Sequence, residues 1–437
     1  TRNTAVGYES LDANTTGTRH VAVGFQSLTT NTTGNYNTAV GDISLHQNTT
    51  GASNTAVGLG ALEANTTGSE NVAVGLQSLD ANTTGSNNVA VGRNALSGNT
   101  TAVNNTAVGD SALFSNTTGA GNTALGEGAL ISNTTAASNT AVGKGALAAC
   151  TTGGSNVAVG LNAGDAITTS PANTIIGHNA GSAISTGNGE NVCVGNNAGA
   201  LMTTGQQNIF IGDQAAAGAV VTSANNVIIG DNAGYTLAGG NGFNVGVGGA
   251  AFNLITTGNN NVAVGDNAAG NLTTGAENVF VGSYAGNTSP QTTTGSYNTL
   301  VGRLAHCSSQ TVSSEIAIGF NAAGKGTGTA FIAGGNGAFQ GNNASTWSTT
   351  SDRRVKKNIV DNNVGLDAIN QIQVKNFEYR TADEITELDG SLCAIKKEGT
   401  QIGVIAQEMQ EILPETVKTE STGCMSVNPD NLTWHLV

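Results

Sequence analysis

The chain has 437 residues, of which 62 are glycine, and only 10% are charged and 4% aromatic. Four prolines and no glycine at every third position exclude collagen, while 38% hydrophobic residues can build a core and so argue against disorder. The net charge of −14 argues against a nucleic-acid partner, and no apolar run approaches the ~20 residues that cross a bilayer. Five scattered cysteines include no C-x-x-C pair, so we expect no metal site and no cofactor.

An internal repeat fills residues 1–323. Its marker is a glycine that follows an aliphatic residue, and the markers lie 17 residues apart at first and 17, 18 or 20 apart later. The nineteen markers are Gly7, Gly24, Gly41, Gly58, Gly75, Gly92, Gly109, Gly126, Gly143, Gly160, Gly177, Gly195, Gly212, Gly230, Gly248, Gly265, Gly282, Gly302 and Gly319. The period is too short for helix pairs, and the glycine is expected to supply a turn or positive φ that a Cβ would block.

Two β-branched or aliphatic positions recur just before each marker, as in Thr4-Ala5-Val6. Residues two apart on a strand face the same side of the sheet. We therefore expect these two positions to form one stripe that faces the core, with a small residue, usually Ala, between them.

Asparagine stands four residues before the marker in 17 of the 19 repeats, and the exceptions are His20 and Glu315. Asparagine suits a tight corner, and stacked asparagines can form a hydrogen-bonded ladder. The residues that we assign to this ladder are Asn3, Asn37, Asn54, Asn71, Asn88 and Asn105.

These features predict a mostly β protein, with a parallel β-solenoid (β-roll) rod of about 19 coils over residues 1–323. At about 4.8 Å per coil the rod would be roughly 90 Å long. Each coil buries little on its own, so we expect lateral association into an elongated homotrimer. The first nine repeats carry Leu four residues after the marker and later ones usually a small residue, so the core should narrow or repack near residue 155.

The unit Asn-Thr/Val-Ala-Val-Gly, with Ala after it, resembles the head repeats of trimeric autotransporter adhesins. The resemblance implies left-handed β-rolls that assemble as threefold needles. The unit here is longer because of a loop, Asn-Thr-Thr-Gly, whose Asn-Thr-Thr recurs from Asn14 to Asn133. This triplet is formally a glycosylation sequon, and we favour a turn with Thr caps over an attached glycan.

The composition changes near Ser351. Residues 1–350 carry 21 charged side chains, whereas the 87 residues 351–437 carry 23. Residues 324–350 lose the period and are rich in Gly, Asn, Ser and Thr, which predicts a neck. Beyond it the pattern predicts a helix over 364–372, a strand over 374–379, and a strand that continues as a helix over 402–412 and stops at Pro414, hence a small α+β domain.

Four motifs over residues 351–437 resemble the intramolecular chaperone and self-cleaving domain of phage tailspikes and tail fibres, the endosialidase type. They are Ser-Asp-x-Arg-Val-Lys-x-x-Ile from Ser351, Asn-Phe-Glu-Tyr from Asn376, Gly-Val-Ile-Ala-Gln-Glu from Gly403 and Pro-Glu-Thr-Val from Pro414. The resemblance implies a trimerisation chaperone that cuts itself off after assembly. The family domain usually continues into a long helix, so we expect the module that stops at Val437 to be C-terminally truncated.

The same resemblance implies a single-turnover serine protease site. It assigns Ser351 as the nucleophile, Lys356 as the base and Thr350–Ser351 as the bond that is cut, with supporting roles for Asp352 and Arg354. A serine hydroxyl needs a base to take its proton, and a lysine can do so once desolvation lowers its pKa. Taken alone, a Ser-Asp pair ahead of a basic segment would also suit a plain helix N-cap.

These observations predict a structural, receptor-contacting tail fibre or spike of a phage-type virus particle. Its partners would be copies of itself and a host-cell surface receptor or glycan, with no nucleic acid and no membrane insertion. The alternative is a bacterial or extracellular surface adhesin or filament built from the same rod and chaperone. A glycan-degrading tailspike would need paired carboxylates in a groove, whereas the acids of the repeats are isolated, so we expect no external substrate.

Overall fold

The computed structural model describes residues 2–240, 242–332, 338–340, 366–387, 395, 398–420 and 423–427. The chain divides into two compact units, Thr1–Thr350 and Ser351–Val437. The first unit is a parallel β-solenoid of about nineteen coils, which confirms the predicted fold class.

Each coil contributes one three-residue strand that ends immediately before the marker glycine. Strands β1–β19 are Thr4–Val6, Val21–Val23, Thr38–Val40, Thr55–Val57, Val72–Val74, Val89–Val91, Thr106–Val108, Thr123–Leu125, Thr140–Val142, Val157–Val159, Thr174–Ile176, Val192–Val194, Ile209–Ile211, Val227–Ile229, Val245–Val247, Val262–Val264, Val279–Val281, Thr299–Val301 and Ile316–Ile318. Every strand pairs in parallel with the next, and the register joins equivalent residues, as Ala56 joins Ala73. Identical positions therefore stack in columns along the solenoid.

The marker glycine lets the chain leave the strand. Its φ lies between +130° and +141° in all nineteen coils, a backbone conformation that L side chains rarely adopt. A Cβ on Gly109 would also lie 2.6 Å from the backbone carbonyl of Gly126 in the next coil. The expectation that this position excludes a side chain is confirmed, because each marker packs directly on the next.

The residue in the middle of each strand faces the core, whereas the sequence suggested that its two neighbours would. In β2–β19 the middle residue is buried, and the two residues that flank it are half-buried or exposed. The prediction that the β-branched stripe faces the core is therefore wrong. The coil interior is narrow, and a small strand centre such as Ala56 leaves room for the fully buried leucine four residues after the marker, Leu62.

The core is packed in two ways, and the change falls between Leu147 and Gly164. In coils 2–9 the strand centre is Ala and the later position is a fully buried Leu. In several later coils a large side chain stands at the strand centre and a small residue at the later position. These pairs are Ile175 with Gly181, Phe210 with Ala216, Ile228 with Gly234 and Phe280 with Gly286, and the order is reversed for Gly246 with Phe252.

The period ends after coil 19. Strand β20, Ala330–Ile332, still pairs in parallel with β19, but β21, Ala338–Gln340, turns back and pairs antiparallel with β20.

The second unit contains two small antiparallel sheets and short helices. Its elements are helix α1 (Leu366–Ile369), strands β22 (Lys375–Phe377) and β23 (Gln401–Gly403), helix α2 (Ala406–Ile412), a 3₁₀ helix (Pro414–Thr416), and strands β24 (Val417–Thr419) and β25 (Met425–Val427). Strand β22 pairs with β23, and β24 pairs with β25. The helix, the strand and the strand followed by a helix that the sequence predicts here coincide with α1, β22 and β23–α2.

Candidate functional site

The asparagines before the strands form a continuous ladder through the solenoid. The side-chain oxygen of Asn71 accepts the backbone N–H of Asn88 at 3.0 Å, and the Asn88 side-chain amide donates to the carbonyl of Ala102 at 2.9 Å. The pattern repeats through Asn37, Asn54 and Asn105. From Asn37 onward these side chains are buried, so each bond satisfies a backbone group at a corner that water does not reach.

The two ladder positions without asparagine, His20 and Glu315, lie near the two ends of the ladder. The Nδ1 atom of His20 accepts a hydrogen bond from the backbone N–H of Asn37 at 3.2 Å. The backbone N–H of His20 in turn donates to the side-chain oxygen of Asn3. At the far end Asn298 accepts the N–H of Glu315, whose buried carboxylate accepts the N–H groups of Ser308 at 2.9 Å and Gly326 at 2.5 Å. Glu315 therefore ends the asparagine ladder at coil 19.

A second ladder, which the sequence reading missed, is formed by the asparagines of the Asn-Thr-Thr triplets. Each side-chain amide donates to the side-chain oxygen of the previous one, from Asn31 onto Asn14 through to Asn133 onto Asn116. All of them except Asn14 are fully buried. The amide nitrogens are therefore closed to enzymatic glycosylation in the folded protein, which agrees with the preferred reading of these triplets as turns.

The outward side of the strands carries a continuous uncharged surface, which we call the outer stripe and define as the first and third residues of β1–β19. Its members are only Thr, Val, Ile and Leu, and none is buried. Val6 is 58% exposed, Leu125 47% and Ile176 39%. The stripe thus runs along all nineteen coils as an uncharged, mostly apolar surface that is half-buried or exposed.

The residues directly after the marker glycines form a column that borders the outer stripe. This column contains both aromatic and charged side chains. Tyr8 and Phe25 stack at 5.5 Å between ring centroids. Further along, several charges pair within the column. The ion pairs join Arg93 to Asp110 at 2.7 Å and Lys144 to Glu127 at 3.1 Å. Asp42, Asp213, Asp231 and Asp266 lie in the same column, so its charge is balanced only around coils 6–9.

The buried thiols of the solenoid are not reactive groups. Burial raises the pKa of Cys150 to about 11 and the pKa values of Cys193 and Cys307 to about 12, so all three stay protonated at neutral pH. Among the described residues no three His, Cys, Asp or Glu side chains come together as a possible metal site. The same residues include no helix with the length and apolar character of a membrane span.

In the second unit an ion pair joins strand β22 to helix α2. Lys375, which precedes Asn376-Phe377-Glu378-Tyr379 on β22, pairs with Glu408 at the end of Gly-Val-Ile-Ala-Gln-Glu on α2. Phe377 and Tyr379 meet edge to face at 5.3 Å between ring centroids. The Lys375–Glu408 pair therefore links β22 to α2 at a half-exposed position.

The residues assigned to self-cleavage, Thr350, Ser351, Asp352, Arg354 and Lys356, lie outside the described residues. Their roles stay predictions.

Comparison with known families gives a match for residues 351–418 to the family described as chaperone of endosialidase. The match includes all four motifs and begins at Ser351, the first residue of the second unit. No curated protein matches the chain significantly. A β-solenoid in the first unit with this segment in the second fits a tail-fibre-like structural protein.

Proposed function

We propose that the protein is a homotrimeric, receptor-contacting tail fibre or spike of a phage-type particle, matured by removal of its C-terminal chaperone. The observation that carries the proposal is the chaperone of endosialidase match over residues 351–418, in a chain whose first unit has nineteen stacked coils. The solenoid supplies length and a regular outer surface, which a fibre needs, and the described residues hold no cluster suited to metal-dependent turnover. The likeness of the coils to the heads of trimeric adhesins supports the same threefold assembly.

The proposed cleavage step uses the residues that the resemblance assigns. Neutral Lys356 takes the hydroxyl proton of Ser351, whose oxygen attacks the carbonyl carbon of Thr350. The Thr350–Ser351 amide bond breaks, and its nitrogen leaves with the proton that the lysine carried. Water then hydrolyses the resulting ester. This leaves a carboxylate on Thr350 and restores the hydroxyl of Ser351, which is now the N-terminal residue of the released fragment.

Cleavage after assembly would make the trimer kinetically trapped. Once the chaperone has left, the segment that guided association is absent, so unfolded chains could not reassemble and the assembled fibre would persist because its unfolding is slow. A fibre outside the cell would gain durability in this way.

The test is the mass of the purified full-length chain and of three variants. Wild type should yield two fragments that end and begin at Thr350 and Ser351. Ser351→Ala and Lys356→Met should stay intact, whereas Lys357→Met, which removes the neighbouring lysine, should be cut like wild type. An intact wild-type chain, or cutting of Ser351→Ala, would overturn the self-cleavage step.

Location is tested separately. Antibodies against the solenoid should label the tails of purified virus particles by electron microscopy. Labelling of a cell surface without particles would instead favour the adhesin or filament.

A further inference from the structure

The outer stripe is the largest feature of the solenoid that its own chain leaves uncovered. We propose that the outer stripe is the contact between copies of this chain, packed in parallel and in register about a threefold axis. The inference rests on the trimer of the proposed function and adds the surface through which it forms.

The size of the stripe fits an interface. Nineteen coils at about 4.8 Å, with two side-chain columns about 10 Å wide together, give roughly 900 Å² per chain. The largest apolar patch on a typical monomer is about 300–600 Å². Divided between the two neighbours in a threefold ring, the stripe gives about 450 Å² per chain at each contact and about 2,700 Å² over the whole trimer, which is in the range of stable assemblies. A surface of this extent is typical of a protein that associates.

The charge distribution also fits a contact between copies of this chain. A chain with a net charge of −14 is repelled by its own copies, so a contact between copies needs a surface without charge. The 38 positions of the stripe contain no charged residue, although charges occur in the adjoining column. There Arg93 and Lys144 pair with Asp110 and Glu127 of their own chain, so these four charges cancel where three copies meet. Asp213, Asp231 and Asp266 of the same column have no such pair among the described residues, so the contact between copies is confined to the uncharged stripe.

The two columns of the stripe suit a cyclic arrangement. In a threefold ring each copy contacts its neighbours through two different surfaces. The first column contains Thr in eight coils, from Thr4 to Thr299, and the third contains only Val, Ile and Leu. We infer that the first column of one copy packs against the third column of the next. Because both repeat once per coil in every copy, a parallel, in-register trimer matches them along the whole length.

The inner packing explains why the stripe is free for this role. Each coil has its own core in the strand centre and the turns, so a stripe residue can change without opening that core. Changes on the stripe should therefore alter association and leave the coil folded, which makes the proposal testable.

The first test compares two double variants in the full chain by light scattering and circular dichroism. Val91→Asp with Val108→Asp places charges on the stripe of coils 6 and 7. Thr101→Asp with Thr118→Asp places the same charges on exposed positions of the same coils outside the strands. We expect the first variant to fall from three chains to one with its β-sheet signal kept, and the second to stay at three.

The second test uses single cysteines and a short bismaleimide. Val108→Cys should give covalent dimers in high yield and Thr118→Cys few, and the solenoid cysteines Cys150, Cys193 and Cys307 are buried and contribute little background. A trimer that survives the stripe charges, or that crosslinks equally through Thr118→Cys, would overturn the stripe contact while leaving the proposed fibre intact. A monomeric wild type would overturn the stripe contact and the trimer together.

Discussion

Asn133 and Cys150 occupy the same position in neighbouring coils, and the second asparagine ladder ends between them. The side-chain amide of Asn133 donates to Asn116 at 2.7 Å, but its side-chain oxygen is buried and accepts no hydrogen bond. Cys150 stands where the next donor would be, and its thiol donates to the carbonyl of Gly153 instead. Because each amide in this ladder donates to the asparagine of the previous coil, the side-chain oxygen of the last asparagine is left without a donor.

The same substitution should therefore have different effects in the middle and at the end of this ladder. In Asn82→Cys the side-chain oxygen of Asn65 loses its donor, which adds a second buried unpaired acceptor. In Asn133→Cys the oxygen of Asn116 becomes unpaired while that of Asn133 disappears, so the number is unchanged. We expect Asn82→Cys to be less stable than Asn133→Cys by about 1–3 kcal/mol, the desolvation penalty of one such group.

Denaturant unfolding, with amide exchange in the affected coils, measures this difference. Equal losses of stability at the two positions would show that the ladder contributes through packing alone.

The marker glycines give a second prediction, with a control among the other glycines. In Gly109→Ala the new Cβ would meet the backbone of Gly126 at 2.6 Å at a φ of +136°, so the coils must separate. A loss of more than about 4 kcal/mol is expected, as for other severe backbone conflicts. Gly128 has a φ of +66° and open space around its Cβ position, so Gly128→Ala should cost only about 1 kcal/mol.

Thermal unfolding of the two variants decides the matter. A Gly109→Ala protein as stable as Gly128→Ala would mean that the stacking of marker glycines is not required.

His20 makes the N-terminal coils sensitive to acid. Burial lowers the pKa of His20 below its ordinary value of 6.5, against weaker opposing hydrogen bonds with Asn37 and Gly34. The unfolded chain therefore takes up a proton at a higher pH than the folded one, so stability is complete above pH 6.5 and falls as the pH drops below it. Protonation of Nδ1 would also remove the acceptor for the N–H of Asn37.

Amide exchange at Asn37, expressed as protection relative to an unfolded peptide, should fall between pH 7.5 and pH 5. The variant His20→Asn restores the ladder residue and should abolish this change. The exposed His178, changed to Asn, serves as the control and should leave it intact. The same pH dependence in His20→Asn would assign the effect to another group.

The period, the marker glycines and the corner asparagines could be predicted from the sequence, because each has a requirement that few residue types meet. Strand alternation alone could not predict which residues of each strand face the core. That alternation separates Thr55 and Val57 from Ala56 but does not say which side is enclosed, and β-branched residues suit both a core and an interface between chains. A signal was nevertheless present, since in coils 11, 13, 14 and 17 the strand centre becomes large where the position six residues later becomes small.

This exchange of volume gives the last prediction. A Cβ on Gly286 would lie 2.5 Å from the ring of Phe280, so Gly286→Leu alone should overpack coil 17, and Phe280→Ala alone should leave a cavity that costs about 3–5 kcal/mol. The double variant recreates the Ala and Leu pair of the early coils, where Leu130 takes a φ of +53° close to the +71° of Gly286. We expect the double variant to be more stable than either single one, with a coupling energy of about 1–3 kcal/mol in a double-mutant cycle. Additive losses would show that the two positions do not share one space, and the core assigned to the later coils would then be incorrect.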